Sequence, residues 1–219
     1  MKYINQEEDI YSIIKHCTDK IKEQGPLKKH MELEFRLGFF NESGFNTDIP
    51  QHFYDKIKNI MDNTNVWENT EDISVEDHHW KKYRLSEYEN GDEICIQKEN
   101  IFNVDIEYES SPFDLRISLN KETPTKVDKF NKSKSEFVRK KNRKRYNYKY
   151  IYYDFTKVQS EYNTLISRSN NIEIEIKDIK TTLKDYCIEY LLHSCILKIR
   201  DFVRMCENCD NSKFKLKTT

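Results

Sequence analysis

The sequence predicts a mainly β (α+β) protein, a closed barrel with a charged lumen and helices packed outside. Three stretches carry that reading. Residues 30–39 alternate strictly, with Leu33, Phe35, Leu37 and Phe39 on one face and Glu32, Glu34 and Arg36 on the other. This is the period of a strand with one apolar and one charged side. Residues 171–177 repeat it, with Ile172, Ile174 and Ile176 opposed to Glu173 and Glu175. Between them, 137–146 puts Arg139, Lys141, Arg143 and Arg145 on a single face. A lone Glu-x-Glu strand ordinarily turns its charges to solvent, and a Lys/Arg-rich strand is commonly a solvated edge. Two acidic strands and a basic one in the same chain instead fit a shared polar interior.

At 219 residues the chain suits one domain over 1–219, long enough for an eight-stranded barrel with flanking helices. The 37 Lys plus Arg and 38 Asp plus Glu leave a formal charge of -1, which excludes a polyanion-binding surface as a whole and confines any nucleic-acid recognition to local clusters. The 34% of charged residues would suit disorder, but 13% aromatics and plentiful Ile and Leu argue for a folded core. No apolar run is long enough to span a bilayer and the N-terminus lacks a signal-peptide pattern, so a soluble intracellular protein is expected. Six cysteines form no disulfide framework, and Cys206-Glu-Asn-Cys209 lacks the second ligand pair of a structural zinc site.

In chain order, residues 5–24 read as a helix with Ile10, Ile13, Ile14, Cys17 and Ile21 in one stripe. Asn5 and Glu8 form a possible capping box, and Gly25-Pro26 ends the helix. After the Glu32 strand, 48–63 reads as a second helix with Pro50 in its first turn and Phe53, Ile57, Ile60 and Met61 inward. From Ile73 the pattern is β. A strand over 79–88 meets the Asn90-Gly91 hairpin turn, and the return strand carries Ile94, Ile96 and Lys98 until Ser111-Pro112. Residues 113–120 form another strand, and 123–135, which contain Pro124, a loop. Two strands over 136–146 and 148–158 turn at Asn147. A loop over 160–171 precedes the second acidic strand, and a helix over 181–206 presents Leu183, Tyr186, Cys187, Tyr190 and Leu191 on one face. The tail 213–219 is basic and expected to fray.

Two Glu-x-Glu strands facing one space would force carboxylates together, and each would raise its neighbours' pKa unless a cation intervened. Oxygen ligands without His or Cys suit Mg²⁺ or Mn²⁺, ions that complete their shells with water and substrate phosphates. Alternate-face Arg139, Lys141 and Arg143 suit phosphate, since an arginine fork matches phosphoryl oxygens. Arg84, Lys98 and Arg116 add cations on three other strands.

These pieces together resemble the metal-dependent RNA 5′-triphosphatases of fungi, protists and large DNA viruses, within the triphosphate tunnel metalloenzyme superfamily. The matching segments, in order, are Glu-Leu-Glu-Phe-Arg-Leu-Gly (32–38), Tyr-Arg-Leu-Ser (83–86), Ile-Gln-Lys (96–98) and Phe-Asp-Leu-Arg-Ile-Ser-Leu-Asn-Lys-Glu (113–122). They continue with Arg-x-Lys-x-Arg-x-x-Tyr (139–146), Tyr-Asp-Phe-Thr-Lys-Val (153–158) and Ile-Glu-Ile-Glu-Ile (172–176). The Asn-, Lys-, Ile- and Tyr-rich composition also resembles that of an AT-rich genome such as a large DNA virus, which would place the protein in host cytoplasm or virion.

The resemblance implies an eight-stranded antiparallel tunnel and removal of the γ-phosphate from triphosphate-ended RNA, the first step of mRNA capping, together with metal-dependent hydrolysis of nucleoside triphosphates. It implies that Glu32, Glu34 and Glu175 hold Mg²⁺ or Mn²⁺. Arg84, Lys98, Arg139, Lys141 and Arg143, with Arg36 and Arg116, would bind the phosphates, and Glu122, Asp154 and Glu173 would orient cations or the attacking water. Asn171 stands where relatives carry a third acid. Two alternatives stay open: a small-molecule triphosphatase or adenylate cyclase of the same superfamily, and a non-catalytic RNA-binding capping scaffold. The chain has no Lys-x-Asp-Gly guanylyltransferase motif and no glycine-rich methyl-donor motif. The guanylyltransferase and methyltransferase modules expected as partners would lie elsewhere, in one longer multifunctional capping enzyme or beside it.

Overall fold

The computed structural model describes residues 4–108, 111–206 and 214–217, with the side chains of 10–108, 111–128, 130–206, 216 and 217. Chain order gives α1 (Ile4–Glu23), β1 (Met31–Asn41), β2 (Gly44–Asn46), α2 (Gln51–Asp62), β3 (Asn69–Trp80), β4 (Tyr83–Tyr88), β5 (Glu93–Tyr108) and β6 (Asp114–Thr125). Two short 3₁₀ turns follow, then β7 (Phe137–Tyr148), β8 (Ile151–Tyr162), β9 (Leu165–Ile176), α3 (Ile179–Thr182), α4 (Ile188–Cys206) and β10 (Phe214–Leu216). Eight of the strands close antiparallel in the cyclic order β1-β6-β5-β4-β3-β7-β8-β9, because β6 pairs with both β1 and β5 while β9 returns to β1. β2 extends β1 and β10 extends β5.

Alternation sorts the side chains of this barrel. Leu33, Phe35 and Leu37 of β1 lie opposite Leu119, Ile117 and Leu115 of β6, and Phe35 also faces Ile174 of β9. All are buried, and they turn outward against helices. The hydrophobic core thus sits between barrel wall and helices. α4 supplies Leu191, Leu192, Cys195, Ile196, Ile199, Phe202 and Val203, α1 supplies the expected Ile10–Ile21 stripe, and α2 adds Tyr54, Ile57 and Met61. The other face of each strand, charged, is left to the lumen. The Asn5–Glu8 capping box lies outside the described side chains.

Several local expectations are corrected. In α2 the buried register is Tyr54, Ile57 and Met61, with Ile60 exposed, and Pro50 is the residue before the helix. The 79–88 segment is two strands joined by a tight turn at Lys81-Lys82, with Lys81 at φ 54°. Pro124 is inside β6, opposite Ile96. β1 ends at Met31 opposite Lys121, so this part of β6 has an open edge where a missing N–H costs no ladder bond. The β7–β8 turn falls at Lys149-Tyr150 and not at Asn147, and residues read as a loop over 160–171 continue β8 and β9 around Asn163-Thr164. Lys149 and Asn163 take φ of 51° and 54°, the left-handed turn geometry usually filled by Gly or Asn. The helix read over 181–206 is interrupted. Asp178 caps the short α3, and α4 begins only at Ile188, leaving Tyr190 exposed. Residues 214–216 of the tail pair with β5. Cys209 lies outside the described residues.

One contact shapes the lumen. Gly38 belongs to the lumen-facing row of β1, and in its missing side chain's place sit the Asn46 carbonyl and the Phe45 ring of β2. Asn170 ties the following connection to β9, its N–H donating to Asp48 and its carbonyl accepting from Ile49 N–H at 2.8 Å. A methyl group at Gly38 would lie 2.6 Å from the Phe45 ring. Gly38→Ala should therefore destabilise the protein by about 1 to 3 kcal/mol, the usual cost of overpacking, measured as a lowered urea midpoint. An unchanged midpoint would mean that β2 moves aside freely.

Candidate active site: a tunnel of opposed charges

The barrel encloses a cavity of about 410 Å³. β1 lines it with Glu32, Glu34 and Arg36, β9 with Glu173, Glu175, Asn171 and Ser169, and β7 with Arg139, Lys141 and Arg143. β3 gives His79, β4 Arg84, β5 Lys98 and β6 Glu122. The pairing registers explain the grouping. Glu34 faces Glu175, Arg36 faces Glu173, and Glu173 in turn faces Asp154. Residues directly opposite in an antiparallel pair share a face.

The charges are woven together. Lys98 Nζ lies 3.7 Å from Glu32, 3.3 Å from Glu34 and 2.8 Å from Glu122. Arg84 donates to Glu122 at 3.1 Å. Glu34 also accepts from Arg36 and from Asn120 Nδ2 at 2.9 Å. Glu173 accepts from Arg36 at 3.3 Å and from Arg143 at 3.2 Å. Asp154, wholly buried, receives a two-pronged pair of bonds from Arg145 at 2.7 and 2.6 Å and another contact from Arg143 at 2.8 Å. Asp77 is likewise buried and holds Lys141 Nζ at 2.6 Å.

These environments divide the carboxylates into two groups. Burial pushes Glu173 upward, but Arg143, Arg36 and Lys141 outweigh it and hold its carboxyl at about 2. Burial, then Glu122, push Glu32 up to about 7 despite Lys98. Burial and Glu32 likewise raise Glu175 well above the carboxylate range, with Arg145 only partly compensating at 3.5 Å. Among the cations, burial lowers Lys141 and Arg139. Arg139 rests against the Phe137 ring, 5.1 Å from its centroid, and has no carboxylate in ion-pair range among the described residues. The tunnel thus holds carboxylates short of positive charge and a cation short of negative charge.

Of the metal, phosphate and orienting residues expected from the sequence, all line the cavity except Asp154 and Arg116, and Arg145 of the basic face also stands outside the lining. Asp154 lies behind the lining, where it fixes Arg143 and Arg145 and is closed to water. Arg116 occupies the lumen-facing row of β6, opposite Arg36, but both prongs of its fork bind Asp105 at 2.7 and 2.9 Å, and its guanidinium stacks 4.6 Å from the Phe45 ring. Phe45 walls it off. Lys140 and Lys144, on the other face of β7, pair outside the barrel with Glu161 and Asp72.

Asp77 escaped the sequence reading because the strand was taken to begin at 79, and His79 because that strand was read straight through Lys81-Lys82, a register that sets it on the other face from Arg84, its partner across the turn. The alternation 73-75-77-79 before Lys81-Lys82 is the signal that exposes them. Burial, then Arg139, push His79 down to about 3, so its ring is neutral. It stacks on Phe137 at 4.3 Å.

The donor set at Glu32, Glu34 and Glu175 fits a hard divalent cation: three carboxylates, with no thiolate or imidazole among them. The Lys98 ammonium among Glu32, Glu34 and Glu122 marks a place that demands positive charge. The three predicted ligands are nevertheless drawn apart onto Lys98, Arg36 and Arg145. Among the described residues, the group of His and acidic ligand atoms lying within 4.8 Å of one another is Glu76, His78 and Glu87. That group is on the outer face of β3 and β4, where the Lys132 ammonium sits on Glu87.

Replacing Asp154 by Asn keeps its shape and leaves Arg143 and Arg145 without their buried counter-charge. Asp154→Asn should cost about 3 to 5 kcal/mol, as when one partner of a buried pair is lost, measured by urea unfolding at neutral pH. A cost under about 1 kcal/mol, typical of a surface pair, would remove Asp154 from the framework of the tunnel.

The profile of the family "mRNA capping enzyme, beta chain" matches residues 39–186. No curated protein matches the sequence. Among solved structures, the S. pombe Pct1 RNA triphosphatase superposes with a TM-score of 0.74 at 16% identity, covering 91% of this chain and 94% of that one. Pct1 in complex with the Spt5 CTD gives 0.73 at 17%, with 90% and 93% covered. The mimivirus capping enzyme triphosphatase gives 0.55 at 11%, with 88% and 97% covered. At these identities the likeness establishes the closed tunnel fold.

Proposed function

The chain belongs to the mRNA capping enzyme β-chain family, the RNA 5′-triphosphatases, and from that premise we propose how its own residues carry out the hydrolysis. The observation that carries the reading is one cavity lined by Glu32, Glu34 and Glu175 and also by Arg139, Lys141 and Arg143. A polyanion-binding scaffold has no use for the acidic set, and a bare cation site has no use for the basic one.

Arg139, Lys141 and Arg143 bind the oxygens of the 5′-triphosphate, Arg139 first because no carboxylate competes for it. Arg84, Lys98 and Arg36 complete the cationic wall. Glu173 and Glu122 orient these side chains, Glu173 through Arg36 and Arg143, Glu122 through Arg84 and Lys98. Asp154 and Asp77 do the same from behind for Arg143 and Lys141. Held at about 2, Glu173 stays ionised and aligns water or cations as an acceptor. Glu32, Glu34 and Glu175 would hold Mg²⁺ or Mn²⁺, which when bound supplies charge neutralisation at the γ-phosphate. The prepaid arrangement of charges, in a site shielded from water, is what lowers the barrier. The products are inorganic phosphate and 5′-diphosphate RNA, and free nucleoside triphosphates, which carry the same phosphate chain, are substrates as well.

Guanylyltransferase and methyltransferase activities would be supplied by partner modules, in the same polypeptide or beside it. Pct1 has been captured with the Spt5 CTD, and a comparable CTD is a candidate partner here. No helix among the described residues is long and apolar enough to cross a membrane.

Replacing Glu32, Glu34 or Glu175 by Gln should lower turnover by about two orders of magnitude, the scale of losing one preorganised electrostatic group, and reduce the thermal shift produced by Mn²⁺. Normal turnover and an undiminished Mn²⁺ shift in Glu34→Gln would sink the ligand assignment.

Lys141→Ala should impair hydrolysis severely, while Lys140→Ala, on the outer face, should leave it intact. With γ-labelled triphosphate RNA the label should appear as inorganic phosphate. Labelled pyrophosphate from γ-labelled ATP, with a labelled cyclic nucleotide from α-labelled ATP, would move the chain to the cyclase reading.

A further inference from the structure

We propose that the tip of the β8–β9 hairpin, with the neighbouring β3–β4 turn, is a platform for the single-stranded RNA that follows the 5′-triphosphate. The inference rests on the reading of the tunnel as the triphosphate site. Tyr162 and Leu165, opposite one another at the end of the lumen-facing row, are 56 and 72% exposed, two large apolar side chains side by side; Ile166 lies on the outer face, opposite Glu161. A hairpin tip facing only water is expected to carry charges that discourage association.

Their position ties them to the tunnel. Ser160, which lines the cavity, pairs with Ser167 on one side and with Arg139, another lining residue, on the other. The hairpin continues past this pair to Tyr162 opposite Leu165, so its tip overhangs the mouth beside the arginine that lacks a carboxylate partner. Next to it, β7 begins with Phe137 opposite the lining His79, and the β3–β4 turn carries exposed Lys81 and Lys82. The ammonium groups of Lys81 and Lys134 lie 5.3 and 5.7 Å from the Trp80 ring, and that of Lys82 5.8 Å from Tyr83. They rest over rings and keep their charge for an incoming anion.

Apolar and aromatic side chains beside lysines match the two chemical parts of a single strand. Bases stack on an aromatic face whatever their identity, and phosphates follow the cations. A triphosphate held by Arg139, Lys141 and Arg143 leaves its first nucleotides at this rim. The platform would therefore distinguish a triphosphate-ended RNA from a free nucleotide, a distinction the lining does not make.

The test uses the full chain in two variants, Tyr162→Ala/Leu165→Ser and Lys82→Ser/Lys134→Ser, all at exposed positions. Steady-state kinetics are compared for ATP, a triphosphate-ended dinucleotide, and a triphosphate RNA of about 16 nucleotides, the upper site size of one single-strand-binding fold. The apolar variant should raise KM for the long RNA about tenfold, within the range of one lost base–aromatic stack. It should leave kcat/KM for ATP unchanged and raise KM for the dinucleotide less than for the long RNA. The lysine variant should flatten the salt dependence of the long-RNA KM. An unchanged long-RNA KM in the apolar variant overturns the platform and leaves the triphosphatase reading intact, as a tip that docks a protein would. An equal loss for ATP and RNA also overturns it, by placing the damage in the barrel. A wild-type chain that hydrolyses ATP but not triphosphate RNA overturns the reading beneath.

Discussion

The structure depends on enclosing many opposed charges in one lumen. Each ionised group there has lost part of its water, so it must be answered by a counter-charge or shift its pKa. The barrel does both. Glu173 is answered by two arginines and stays strongly acidic, whereas Glu32 and Glu175, answered only in part, are pushed up. A buried ion pair is costly to desolvate and even costlier to break, so such a lumen cannot form gradually. It needs all of its strands. Its stability comes from elsewhere, and its charges are retained for what they bind.

That elsewhere is the outer face of the same strands. Because successive side chains alternate, every residue that commits a charge inward commits its neighbours outward. Those neighbours are Leu33, Phe35, Ile172, Ile174 and Phe155, covered by α1, α2 and α4. The arrangement inverts the usual small barrel, whose interior is filled by apolar side chains. It also leaves the polar interior rigid, since its side chains are anchored to a packed wall. Asp77, Asp154 and Asn120, all buried, hold Lys141, Arg143 and Glu34 from behind. The side chains that meet substrate are thus aimed by ones that do not.

Where the tunnel stops is decided by apolar contacts. Gly38 leaves room for Phe45, and Phe45 stacks on Arg116, whose fork is already closed on Asp105. An arginine in the right row of the right strand is therefore outside the site. On the opposite face of β7, Lys140 and Lys144 remain ordinary surface cations. The same strand supplies both the site and a solvated surface, separated only by the pleat.

The strands at 30–39, 137–146 and 171–177, the inward phase of their charges and the closed, charged barrel were determined by the sequence itself, through periods that a few residues suffice to set. So were the faces of Glu32, Glu34, Arg36, Arg139, Lys141, Arg143, Glu173 and Glu175, because a side chain's face follows from the count along its strand; Arg84, Lys98 and Glu122 were placed in the site by the family resemblance. The turns at Lys81-Lys82 and Lys149-Tyr150 contain no Gly, Pro or Asn, and the one at Asn163-Thr164 sits in a stretch read as loop; only the pairing of long strands forces them. The break before α4 and the role of Asp77 were equally out of reach. Arg116 and Asp154 were placed on the correct face, and tertiary contacts alone set them behind Phe45 and behind two arginines. A local pattern records which way a side chain points; what it meets there depends on residues far away in the chain, and only the closed fold brings those together.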